Sequence, residues 1–219
     1  MIKPNDDRPR LFVDIDGTLA EWRHITLKID CAEDKNLVID KLYQILTQKG
    51  YYSSLYPQQN VVDAVNSLID KYEVFIVSCY PEKVKENEAD TTPKEEKREW
   101  LKTYTPSIDD SHIIFVPDGE DKTKYIPEGV KSTDFLLDDY SKNLKDWAQA
   151  GGVGIKLMNE LNGQHKTWNG ACVNKDYSAK TIASGIENVM LGIENTKHLE
   201  PRKNRESYLE IDKDTVIEF

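Results

Sequence analysis

Leu11-Phe12-Val13-Asp14-Ile15-Asp16-Gly17-Thr18-Leu19 is an apolar run that stops abruptly on two carboxylates and a glycine. Three bulky apolar residues in a row read as a strand buried on both faces. On an extended backbone, side chains at i and i+2 point the same way, so Asp14 and Asp16 can share one site. Gly17 permits the sharp turn that ends the strand. Of two such carboxylates, the first can attack a phosphorus atom and the second can protonate the leaving oxygen. The plainer alternative is an Asp-rich turn capping its own backbone. A calcium loop does not fit, because the ladder of Asp or Asn at positions 1, 3 and 5 is missing.

Outward from this run, four more short apolar stretches read as buried parallel strands: Val74–Val77, Ile113–Val116, Phe135–Leu137 and Val153–Leu157. Helical patterns separate them. Val61, Val62, Val65, Leu68 and Ile69 repeat at helical spacing, Glu95–Tyr104 and Lys142–Ala150 read as helices, and Ile182, Ile186, Val189, Met190 and Ile193 form a further stripe. Alternating strands and helices predict an α/β fold, a Rossmann-like parallel sheet of about five strands flanked by helices. Residues 20–58 are too long for an ordinary connection. With a helix expected over Asn36–Thr47, they read as a small helical cap inserted after the first strand. The core is then 1–19 and 59–195, and 196–219 is a polar tail, either disordered or supplying an edge strand. Pro81–Pro93 is charged and reads as a mobile loop.

Ligands of open α/β sheets bind beyond the carboxyl ends of the strands, which is where the remaining candidates fall. Asp138 and Asp139 follow Phe135-Leu136-Leu137. An Asp pair there can cap the next helix, as Ser141 could equally well. Together with Asp14 and Asp16 it makes a hard oxygen site suited to Mg2+, which takes one or two carboxylates plus substrate phosphate. Ser78 ends the second strand and can donate to a phosphoryl oxygen. Lys122 and Lys124 follow the third strand, and either can balance phosphoryl charge.

The 219 residues are 38% hydrophobic and 31% charged, with a formal charge of −10. That balance argues against a broad grip on polymeric nucleic acid, though not against a small anionic substrate in a locally cationic pocket. No apolar run approaches the length of a membrane span, and the polar Met1–Arg10 segment does not read as a secretory signal. Three cysteines without C-x-x-C spacing suggest free thiols in a reducing compartment, so a cytoplasmic location is expected. None of the four histidines has metal-ligand spacing to another.

In their order along the chain, Asp14/Asp16, Ser78, Lys122 and Asp138/Asp139 resemble the four motifs of the haloacid dehalogenase-like superfamily over about residues 10–160. The resemblance implies that Asp14 becomes a phosphoaspartate and that Asp16 acts as acid and then base while lending a backbone carbonyl to magnesium. It also implies that Ser78 and Lys122 hold phosphoryl oxygens and that Asp138 completes the metal site. Within the superfamily, Gly50-Tyr51-Tyr52-Ser53-Ser54-Leu55-Tyr56-Pro57, Asp121-Lys122-Thr123 and Phe135 to Tyr140 are most similar to the 5'(3')-deoxyribonucleotidases. Gly154 to Asn159 and Thr167-Trp168-Asn169-Gly170 are similar to their bacterial branch. That points to Lys122 over Lys124 and to a nucleoside monophosphate substrate, with a homodimer as a family expectation. Trp22, Tyr51 and Tyr52 could wall a base or could form the cap's own small core. Two positions depart from the family: Thr18 replaces its usual Val, and Cys79 replaces its second hydroxyl. The competing readings are a phosphatase of another metabolite such as a sugar phosphate, a silent nucleotide-binding protein, and a nucleic-acid end phosphatase, the last disfavoured by the acidic balance.

Overall fold

The computed structural model describes residues 8–22, 43–81, 93–159 and 168–193, with the backbone of 209–211 and 215–217. In chain order the core elements are β1 (Arg10–Val13), α1 (Gln59–Leu68), β2 (Glu73–Tyr80), α2 (Pro93–Tyr104), β3 (Ile113–Pro117), β4 (Asp134–Asp138), α3 (Ser141–Gln149), β5 (Val153–Met158), β6 (Ala171–Asn174) and α4 (Ala179–Met190). Six parallel strands lie in the order β3-β2-β1-β4-β5-β6. The sequence reading missed β6: Ala171-Cys172-Val173-Asn174 holds a single bulky aliphatic residue, and its pairing with β5 comes from the sheet.

Alternation along the strands splits the interior in two. Leu11, Val13, Val74, Ile76, Phe135 and Leu137 face one cluster, completed by Val61 and Val65 of α1, Trp100 and Leu101 of α2, and Ile182 and Ile186 of α4. Phe12, Phe75, Val77 and Leu136 face the other, closed by Leu144 and Trp147 of α3. Phe12 stacks on Phe75 at 4.9 Å and meets Trp147 at the same distance. The sheet is therefore covered on both sides, which is why its strands carry little polar alternation.

The two ends of the 20–58 segment meet at a neck. Glu21 N donates to Tyr56 O at 2.7 Å, Gln58 N donates to Leu19 O at 2.7 Å, and Ala20 bridges Pro57. The returning half packs into the core, with Tyr52 and Leu55 buried in the α1/α2/α4 cluster. Of the helix expected over Asn36–Thr47, residues 43–46 are helical and 36–42 lie outside the described residues, as do 82–92 of the Pro81–Pro93 loop. In the tail, β7 (Leu209–Ile211) and β8 (Thr215–Ile217) pair antiparallel with each other in a separate sheet, so neither becomes an edge strand of the core.

Candidate active site

Strand order reverses at β1, which has β2 on one side and β4 on the other. Such a switch point opens a crevice at the strands' carboxyl ends. Register fills it: Val13 lies opposite Leu137, and Asp14 N donates to Leu137 O at 3.0 Å, which sets Asp14 beside Asp138. Asp14, Asp138 and Asp139 are all buried, and each offers a carboxylate oxygen within 4.8 Å of the others. On the opposite flank Val13 pairs with Ile76, which brings the buried Ser78 to the same end of the sheet.

Lys122 closes this group. Asp121 caps the short turn Lys122–Tyr125 by accepting from Thr123 N at 2.9 Å and Thr123 Oγ1 at 2.8 Å. That turn sends Lys122 inward, where its Nζ donates to Asp138 Oδ2 at 2.7 Å and lies 3.0 Å from Asp14 Oδ1. Lys124 points away, exposed and 3.8 Å from Glu120. Burial alone would lower the Lys122 ammonium, but Asp138 and Asp14 outweigh it and hold it above the ordinary lysine value. The lysine therefore keeps its charge.

Asp138 and Asp139 are each oriented by neighbours. Asp138 accepts from Tyr140 N at 2.7 Å and Asn143 Nδ2 at 2.9 Å. Asp139 accepts from Asn159 Nδ2 at 2.7 Å. Ser141 is not the cap of α3: Tyr140 holds that position, and the Ser141 hydroxyl accepts from Lys156 Nζ at 2.6 Å. Lys156 is buried and pairs in register with Asp138.

Asp16 sits apart from the acidic trio and meets a different lysine. Lys97 Nζ of α2 donates to Asp16 Oδ2 at 2.5 Å, to Cys79 O at 2.5 Å and to Ser78 Oγ at 3.2 Å. Burial raises the Asp16 carboxyl above the ordinary range, Lys97 works against that and Asp14 adds to it. A raised carboxyl suits a proton donor. Cys79 is half-buried, and burial pushes its thiol up to about 11, so it stays protonated at neutral pH.

Of the aromatic candidates, Tyr52 is buried with Lys97 over its ring at 4.5 Å, and Tyr51 is half-buried and meets Tyr52 edge-on at 5.0 Å. Trp22 is half-buried at the start of the insertion and outside this contact set. Sequence reading did not single out Lys97, Lys156, Asn143 or Asn159. For Lys97 there was a signal: it lies three and four residues before Trp100 and Leu101, on the buried stripe of α2, where an apolar residue is expected.

The cluster's chemistry fits a hard divalent cation. Its donors are carboxylate oxygens only. Asp14, Asp16, Asp138 and Asp139 against Lys97, Lys122 and Lys156 leave one formal negative charge, which a divalent cation would turn positive to meet an anion. Asp14 Oδ1 is buried and outside hydrogen-bond geometry with any partner among the described residues.

The profile of the family described as 5' nucleotidase, deoxy (pyrimidine), cytosolic type C protein matches residues 22–171. The chain belongs to this family. It is thereby a haloacid dehalogenase-like hydrolase of the phosphatase type, as the four-motif order implied. The match starts after Asp14 and Asp16, so those two carboxylates are independent of it. Among solved structures, D,D-heptose 1,7-bisphosphate phosphatase from Burkholderia thailandensis superposes with a TM-score of 0.51 at 10% identity, covering 83% of this chain and 99% of that one. That likeness is one of fold. A HAD-family enzyme from Bacteroides thetaiotaomicron, complexed with magnesium and inorganic phosphate, has a TM-score of 0.42 at 14% identity, covering 68% of this chain and 93% of that one. No curated protein matches the sequence. Among the described residues no helix is long and apolar enough to cross a membrane.

Proposed function

We propose that the chain hydrolyses (deoxy)nucleoside monophosphates to nucleosides and phosphate, with Mg2+ and through an aspartyl-phosphate on Asp14. One observation carries the chemistry: Asp14 and Asp16 leave one strand end toward different lysines, Lys122 and Lys97, with Asp138 and Asp139 beside the first. Asp14, Asp138 and Asp139 would hold the metal with the Asp16 backbone carbonyl, and bound magnesium supplies positive charge against the phosphoryl oxygens. An Asp14 carboxylate oxygen attacks phosphorus while Asp16 gives its proton to the leaving oxygen, releasing the nucleoside. Water then attacks the phosphoaspartate, giving its proton to Asp16 and restoring both carboxyl groups. Lys122 and the Ser78 hydroxyl meet the phosphoryl oxygens throughout, and Lys122 screens Asp14 from the incoming dianion.

Family membership supports the nucleotide as substrate, and Trp22, Tyr51 and Tyr52 are the aromatic candidates for contact with a base. Phosphate release from a panel of nucleoside, deoxynucleoside and sugar monophosphates, with magnesium and with chelator, tests the reading. Magnesium-dependent turnover favouring deoxynucleotides, abolished in Asp14→Asn, is expected. Turnover of sugar phosphates alone would overturn the substrate, and unchanged turnover by Asp14→Asn would overturn the nucleophile.

A further inference from the structure

Lys97 is a second buried ammonium in the site, and its three protons are fully used. They go to Asp16 Oδ2, Cys79 O and Ser78 Oγ. None is left for a phosphoryl oxygen, so Lys97 is not another phosphate lysine. Its effect falls on the two groups it binds. An ammonium has no lone pair, so Ser78 Oγ must be the acceptor in their contact, and the serine proton stays free to donate elsewhere. Asp16 is held through Oδ2, while its Oδ1 is buried and has no hydrogen-bond partner among the described residues. A proton on Oδ1 would therefore be presented without competition from the protein.

We infer that Lys97 is a positioning residue for the reaction proposed above, fixing Asp16 with Oδ1 toward the leaving oxygen. This rests on the phosphatase reading. The placement of Lys97 is in turn set by the returning half of the insertion. Tyr52 lies against the ammonium, Glu96 accepts from Gly50 N at 2.5 Å and Tyr52 N at 3.0 Å, and Trp100 Nε1 donates to Leu55 O at 2.8 Å. Three anchors on α2, at Glu96, Lys97 and Trp100, thus bind residues 50–55 to that helix. The segment that closes the insertion and the acid of the reaction share one support.

The step that Lys97 serves is breakage of the bond between phosphorus and the leaving oxygen, as the Asp16 proton passes to that oxygen. An alkoxide needs that proton and a nitrophenolate does not. The test compares kcat/KM for a deoxynucleoside monophosphate and for p-nitrophenyl phosphate, with magnesium, in wild type, Lys97→Met, Asp16→Asn and the double variant. Lys97→Met is expected to lose about 100-fold on the nucleotide, within the range of general-acid contributions, and less than about 10-fold on the nitrophenyl ester. In the Asp16→Asn background it should cost little more on either. Equal losses on both esters, or a full additional loss in that background, overturn the inference while leaving the phosphatase reading intact. Should Lys97→Met fail to fold, Lys97→Arg keeps the charge but cannot aim three donors at the same three acceptors. The same ester selectivity is then expected of it, and its absence overturns the inference. Wild type inactive on both esters defeats the phosphatase reading itself.

Discussion

Asn159 Nδ2 lies 2.7 Å from Asp139 Oδ2, and the same amide donates to Gly17 O at 2.8 Å. One side chain at the end of β5 thereby joins the acidic group after β4 to the turn after β1. Carboxylates that hold a metal depend on such outer partners for their orientation. Asn159→Ala is expected to weaken magnesium binding by about 10–100-fold with little change in melting temperature. Calorimetric titration of magnesium checks this, and unchanged affinity would remove Asp139 from the metal site.

Gly17 is constrained twice. Its φ is +75°, and a Cβ there would overlap the Asp139 carboxylate. Gly50 has a similar φ of +86° with open space around it. The pair separates backbone strain from collision. Gly50→Ala is expected to cost about 1–3 kcal/mol for the left-handed backbone alone. Gly17→Ala should lose stability by more than that and lose catalysis as well, because Asp139 must move. Melting curves and kcat/KM on both variants test it; equal behaviour would mean that Asp139 yields freely.

Glu96 is buried, and its two carboxylate oxygens each take one backbone N–H of the insertion. Removing the acceptors strands one buried donor, Tyr52 N, at about 1–3 kcal/mol, and a half-buried one, Gly50 N, at less. Glu96→Ala should therefore be among the more destabilising changes on α2, and Glu96→Gln, which keeps one acceptor, should fall between it and wild type. Chemical denaturation measures the order. If Glu96→Ala matched wild type, the anchoring of residues 50–55 would reside in Trp100 and Tyr52 alone.

The contrast between what the chain announced and what it concealed has a physical basis. Strand cores such as Leu11–Val13 and Phe135–Leu137 are apolar because both faces are covered, so they stand out in a polar sequence, and the carboxylates that end them are conspicuous for the same reason. Lys97 and Lys156 were hidden because a buried lysine looks like a surface lysine until its neighbours are known. Lys97 interrupts an apolar stripe, whereas Lys156 sits inside an apolar strand, flanked by Ile155 and Leu157. Asn159 carries no local signature of its role, since its partners Gly17 and Asp139 are remote in sequence. β6 owes its state to the edge of β5, which no local pattern encodes.

Lys156 provides a pH-dependent test of this burial. It is buried against the Ser141 hydroxyl, and burial pulls its ammonium below the ordinary 10.5, with Asp139 and Asp138 opposing. The folded value is thus the lower of the two. Between it and 10.5 the unfolded chain binds more protons, so stability rises with pH in that window. Below the window both states are protonated and the full penalty of burying the charge is present. Lys156→Met removes the penalty and is expected to melt above wild type at pH 7, by about 2–4 °C for each kcal/mol recovered. The gap should close as pH approaches 10.5 and wild-type Lys156 sheds its proton. Melting curves for both proteins from pH 7 to 10.5 decide it. A wild type more stable than the variant at pH 7 would mean that attraction to Asp138 and Asp139 outweighs the burial of the charge.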